Sequence, residues 1–244
     1  MTGTPGRMSL EGHLDELRRR LAWILAVYIP VTGVLFLNAD WVTRILLFAA
    51  RGRLHHLVFL SPTEVVFTYL KVSMAAALIV TSPFIAYQLA AFAWPGLIER
   101  EKKFAYTYVP LAVALFWAGA AFGYFVFAPV VLRFVLGFGG PGIVPMISYG
   151  NYVGFLLNLI LPFALIFEFP VAVLVLTRLG ILSSAFLRRN RRWAVLVIFI
   201  VAAAVAPPDA GSMLIMVAPM LILYEVGVWV AALAERSHRL DHEA

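Results

Sequence analysis

Residues 8–37 read MSLEGHLDELRRRLAWILAVYIPVTGVLFL, a charged run followed by an apolar one. As a helix, the charged run places Leu10, Leu14, Leu17 and Leu21 on one stripe, at spacings of three and four. His13, Glu16 and Arg20 share another face. Asp15 with Arg19 and Glu16 with Arg20 are acid-then-base pairs at i,i+4, the orientation that supports a helix. Ser9 suits the N-cap. Two readings are open for this stretch. It is an interfacial helix over 8–20 whose basic end anchors a first membrane span, or it is a recognition element.

The rest of the chain bears on the choice. Of 244 residues, 63% are hydrophobic and only 13% charged. A soluble domain carries about twice that share of charge. Apolar runs long enough to cross a bilayer core of about 30 Å recur along the chain. The expected fold is an all-α membrane protein, a single membrane domain over 1–244. Six spans are expected, at about 21–37, 65–93, 104–132, 151–177, 193–206 and 213–233. Ser61-Pro62-Thr63-Glu64 starts the second with a capping box. Pro83, Pro110, Pro129, Pro162 and Pro170 fall inside spans, and the last two are expected to break the fourth. The fifth is short, roughly 21 Å of helix. Pro207-Pro208-Asp209 reads as a tight turn, with Ser212 as cap of the sixth span. Residues 41–60 form a short amphipathic piece and 133–149 a Gly/Pro-rich loop, both expected on the outer side.

Charge assigns the sides. Fourteen of the lysines and arginines fall before span 1, between spans 2 and 3, between spans 4 and 5, or in the tail; Arg44, Arg51, Arg53 and Arg133 fall opposite. The positive-inside rule then makes both termini cytoplasmic. The net charge of +6 is therefore a membrane signal, and no nucleic-acid partner is expected. No cysteine is present, which excludes thiol catalysis and disulfides. No small-residue cleavage site follows the basic N-terminal run, so a cleaved signal peptide is not expected.

Chemistry-bearing residues are few. There is no HExxH pair and no Walker-type phosphate loop. No span serine comes with a histidine partner. An enzyme, a metal or a cofactor is not expected. Glu168 lies ten residues before Arg178, roughly 15 Å of helix, so it falls near the bilayer middle. A carboxyl there needs a partner, water or a cavity. A buried interhelical hydrogen bond and a wet polar cavity are both open. Glu225 is closer to the membrane edge and reads as structural. Met213, Met216 and Met220 recur at helical spacing, which suits either internal packing or a soft docking face for a partner helix. Glu99 and Glu101 lie in a short basic loop, as charge balance or as a site for a cationic ligand. Carboxylates on two elements, Glu16 and Glu101, can hold an arginine pair bidentately, which lysines cannot match.

Six segments together resemble a known family. They are HLDELRRRL (13–21), SPTEVVFTYLKVS (61–73), YQLAAFAWPGLIEREKK (87–103), FGYFVFAPVVLRF (122–134), FEFP (167–170), and PPD followed by APMLILYE (207–209, 218–225). The chain resembles TatC, the multispanning receptor subunit of the twin-arginine protein translocase. The resemblance implies a cupped six-helix bundle with short fifth and sixth spans. It implies that twin-arginine signal peptides of folded cargo bind on the cytoplasmic side through Glu16 and Glu101, with His13, Arg18 and Phe92 beside them. Glu168 matches the family's intramembrane glutamate. Implied partners are the single-span proteins TatA and TatB near spans 5 and 6, further TatC copies and the lipid bilayer. The implied driving force for export is the proton-motive force. Two positions depart from the family pattern: Ala206 stands where threonine often precedes Pro-Pro-Asp, and Met213 where glutamine is often found.

A rival expectation is a proton-coupled small-solute transporter with Glu168 as proton carrier. Such folds often carry internal repeats, and the spans here differ from one another in length and motif.

Overall fold

A computed structural model describes residues 10–48, 57–93, 99–138, 146–207 and 209–243. The proposed cap Ser9 and Pro208 of the Pro-Pro-Asp turn lie outside the described residues, as does much of each outer loop.

The opening stretch and the first span form one helix, α1 (Leu10–Leu37), 28 residues long. No boundary separates an interfacial part from a spanning part. The reason is local: between Gly12 and Pro30 there is neither glycine nor proline to end a helix. The leucine stripe stays open, with Leu14, Leu17 and Leu21 all exposed. After α2 (Ala39–Phe48) and the short strand β1 (Leu57–Val58) comes α3 (Pro62–Ala93), which packs against α1. The two are antiparallel. His13 pairs with Phe92, Arg20 with Gln88 and Tyr28 with Met74, so one index rises as the other falls.

α4 (Glu99–Phe122) runs into a π-helical stretch, Gly123–Phe127, and on through α5 (Ala128–Leu136). Pro129 has no N–H to give, and the wider turn appears immediately before it. Strand β2 (Ile147–Ser148) pairs in parallel with β1. Then follow α6 (Tyr149–Ile166) and α7 (Phe169–Arg178). Of the two prolines expected to break this span, only Pro170 coincides with a break; Pro162 sits inside α6. α8 (Ser184–Arg189) leads into α9 (Arg191–Val205), 15 residues or roughly 22 Å long. α10 (Ala210–Glu243) continues well past the expected end of its span, to 34 residues.

Five helical stretches among the described residues are long and apolar enough to cross a membrane, and α9 is too short to be counted with them. The chain is a multi-pass membrane protein. α6 forms the centre, burying Tyr152, Val153, Leu156, Leu159, Ile160, Phe163 and Ala164. α4 meets it through glycines. A Cβ on Gly123 would lie 2.9 Å from the Ile160 Cα, and one on Gly119 2.9 Å from the Ala164 Cα. Only glycine lets two backbones approach this closely.

Connectivity gathers the start of α1, the end of α3, the start of α4, α8 and the end of α10 at one end. The other end is tied by Glu64, which accepts from the Leu60 N–H at 2.7 Å and from the Gly150 N–H at 2.6 Å. The expected reach of Glu64 to the Ser61 backbone is present but weaker than its bond to the Leu60 N–H, and its second oxygen joins the start of α3 to the start of α6. Asp209 caps α10 through its Oδ1, which accepts from the Ser212 N–H at 2.6 Å. Ser212, expected to cap, is the donor and is buried.

Candidate functional site

The end where α1 begins and α3 finishes carries most of the residues singled out from sequence. One helical face of α1 turns toward α3. His13 stacks on Phe92, with ring centroids 4.4 Å apart and an interplanar angle of 28°. One turn further on, the Glu16 side chain is only 11% exposed and lies between two arginines of its own helix. Arg20 Nη2 is 2.6 Å from Glu16 Oε1, and Arg19 pairs with Oε2. The i,i+4 pair expected from Glu16 to Arg20 is present; Arg19 goes to Glu16 rather than to Asp15. Arg18 is exposed on another side of the helix.

Gln88 was not apparent as a site residue from the sequence. It is buried on α3, and its Oε1 accepts from Arg20 Nη1 at 2.9 Å. The one available signal was an amide in an otherwise apolar end of a span, YQLAAF. Six residues after Ala93, α4 begins at Glu99, so its first turn carries the Glu101 backbone. The Glu101 side chain lies outside the described residues.

A second polar point lies within the helices. Glu168 occupies the break between α6 and α7, with no side-chain cap hydrogen bond. Pro170 removes the amide that would have continued the helix, and its ring excludes the preceding carbonyl. The turn is closed by Phe167 N–H donating to Phe163 O at 3.0 Å and Ala172 N–H donating to Glu168 O at 2.9 Å. The carboxyl is half-buried, and the backbone of Phe116 on α4 is its hydrogen-bonding neighbour. The glycine contact of α4 on α6 is adjacent, since Gly119 faces Phe163 and Phe167.

The methionines do not form one open face. Met216 and Met220 are buried in the main core, while Met213 is partly buried against it. The exposed side of α10 carries Leu214, Ile222, Val226 and Trp229 instead. Glu225 pairs with Arg191 at 2.8 Å, which ties α10 to the start of α9 and fits its structural reading.

Comparison with known proteins follows from this layout. The family model for the Sec-independent protein translocase protein (TatC) matches residues 12–219. The chain belongs to the TatC family. A TatC from Carboxydothermus hydrogenoformans is 41% identical over 226 residues, covering 92% of this chain and 93% of that protein. TatCd of Bacillus subtilis is 36% identical over 239 residues, covering 96% of each. The crystal structure of the twin-arginine translocase receptor TatC superposes with a TM-score of 0.81 at 33% identity, over 91% of this chain and 99% of that one. TatC family membership covers both polar points, and the helical architecture is the TatC one. The TatC family is one of translocase subunits rather than of catalysts, and the transporter alternative falls away.

Proposed function

We propose that this chain is the signal-peptide receptor of a twin-arginine translocase. Glu16 and Glu101 hold the arginine pair of a folded cargo protein's signal peptide. His13 and Phe92 form the wall beside Glu16, and Arg18 contributes from the exposed side of α1. The observation that carries this is the state of Glu16. It is a nearly buried carboxylate already coordinated by guanidinium groups, at the end where α3 passes into the helix bearing Glu101. A carboxylate so placed binds a planar fork better than a point charge.

The remaining assignments follow the same reading. α9 is a sixth, short span, and both termini face the cytoplasm. The apolar segment of the signal peptide lies along the helices toward Glu168. Single-span partners of TatA and TatB type, and further copies of this subunit, assemble on the exposed faces of α9 and α10. Met213 sits at the rim of that surface. The subunit nucleates assembly, and the proton-motive force drives export.

Binding of a signal peptide with Arg-Arg, set against its Lys-Lys counterpart, tests the site. The Arg-Arg peptide binds more tightly, and Glu16→Ala with Glu101→Ala lowers its affinity by about tenfold or more, as expected for lost charge-assisted bonds. Equal affinity for the two peptides, or an unaffected double variant, removes the assignment.

A further inference from the structure

We propose that Glu16 is filled in the resting receptor by the chain's own Arg20, and that a signal-peptide arginine binds by exchange with it. The proposal rests on the reading of Glu16 as a receptor carboxylate. It adds an internal competitor that sets affinity, Arg20, and a positioning residue, Gln88.

Both Glu16 oxygens are engaged by arginines of its own helix, Oε1 by Arg20 and Oε2 by Arg19. The two arginines differ in kind. The Arg19 side chain is 67% exposed, and an exposed i,i+3 pair contributes little. The Arg20 side chain is 21% exposed and tied across to α3 by the buried Gln88. Arg20 is thus a fixed internal occupant, while Arg19 is a loose one. The occupancy is also incomplete. Arg20 Nε is buried with no hydrogen-bond partner among the described residues, and a buried donor left unmade costs free energy. The resting contact is therefore specific in geometry but not optimal in satisfaction.

An arriving guanidinium, unconstrained by the helix, can present two parallel N–H groups to both carboxylate oxygens. Arg20 then keeps its bond to Gln88 and gives up Glu16. The carboxylate keeps one guanidinium partner throughout, while the displaced Arg20, held by Gln88, stays beside it as an added positive charge. This competition lowers the affinity of every cationic ligand by the same factor, so only a ligand that binds Glu16 strongly enough displaces Arg20. A lysine ligand is a strongly hydrated point charge without the fork, and its weaker gain at Glu16 leaves it the poorer competitor.

Fluorescence anisotropy on the full chain in detergent, with the Arg-Arg and Lys-Lys signal peptides as probes, decides the matter. Arg20→Gln tightens Arg-Arg binding by up to about fivefold, the scale of one partly exposed ion pair. It tightens Lys-Lys binding by the same factor, so the Arg-to-Lys affinity ratio is kept. Gln88→Leu moves both affinities in the same direction by less. Unchanged or uniformly weaker binding in Arg20→Gln overturns the exchange. If that variant does not fold, Arg20→Lys takes its place: tighter Arg-Arg binding supports exchange, and unchanged or weaker binding overturns it. Glu16→Gln separates the two claims. If it leaves Arg-Arg binding unaltered, the receptor role of Glu16 fails, and the exchange with it. If it weakens binding while Arg20→Gln does not tighten it, the exchange alone fails.

Discussion

At the scale of single residues, the chain places its few polar side chains where helix ends and helix contacts demand them. Asp209 shows the rule. A helix beginning at Ala210 exposes N–H groups that need an acceptor, and the Asp209 carboxylate takes that of Ser212. Asp209→Ala should cost about 1 kcal/mol of stability, the usual loss of a cap, read as a lower melting temperature in detergent. Ser212→Ala, which leaves that bond intact because the backbone donates it, should cost less; the reverse ranking would contradict the assignment. Sequence alone suggested Ser212 because serine caps well, and the Pro-Pro-Asp turn hid that aspartate is equally good and one residue before the helix. The carboxylate at Glu16 was legible from helical spacing. Gln88 was not, because its role depends on which face of α3 meets α1, and an isolated amide in an apolar run carries no register.

At the scale of elements, prolines and glycines govern how the helices run and how closely they pack. Pro83 leaves the Ile79 carbonyl without its usual donor. That carbonyl accepts from Ser82 Oγ at 2.8 Å and from Trp117 Nε1 at 3.2 Å, which binds α3 to α4 at the proline. Gly119 and Gly123 bring α4 onto α6 beside Glu168. Gly119→Leu should separate these helices, since a Cβ there already lies 2.5 Å from the Phe163 carbonyl oxygen. The expected outcome is a loss of about 2 kcal/mol or more, in the range of overpacked contacts, measured as lower yield of folded protein and a lower melting temperature. Gly33→Leu is the control, because nothing lies within 4 Å of a Cβ there; equal losses in the two would contradict the close approach. The spans were legible in composition and length. Their ends were less so. The opening helix merges with the first span and α10 outruns its apolar part, because good helix formers continue wherever neither glycine nor proline intervenes. Which proline breaks a helix was also hidden: Pro162 is accommodated within α6, and Pro170 is not.

At the scale of the whole molecule, antiparallel connections bring three separated segments to one end: the charged start of α1, the Phe92 end of α3 and the Glu101 turn of α4. Two of the six family motifs, at 13–21 and 87–103, lie on these segments, and their convergence is a property of the fold, not of any one motif. The family was legible in the sequence because its motifs are spread over nearly the whole chain. Around Glu16, the pair with Arg20 was legible from i,i+4 spacing, but the second contact from Arg19 and the hold of Gln88 on Arg20 were not, since they depend on side-chain direction and on which helix faces meet. The central claim is that the two-element site at this end receives the arginine pair. It is tested most directly by a signal peptide carrying a photoreactive group beside its arginines, crosslinked to the unaltered full chain and mapped by mass spectrometry. The account predicts adducts within residues 13–20 and 92–103, lost when unlabelled Arg-Arg peptide is in excess; adducts confined to α8 and α9, or to the end tied by Glu64, would contradict it.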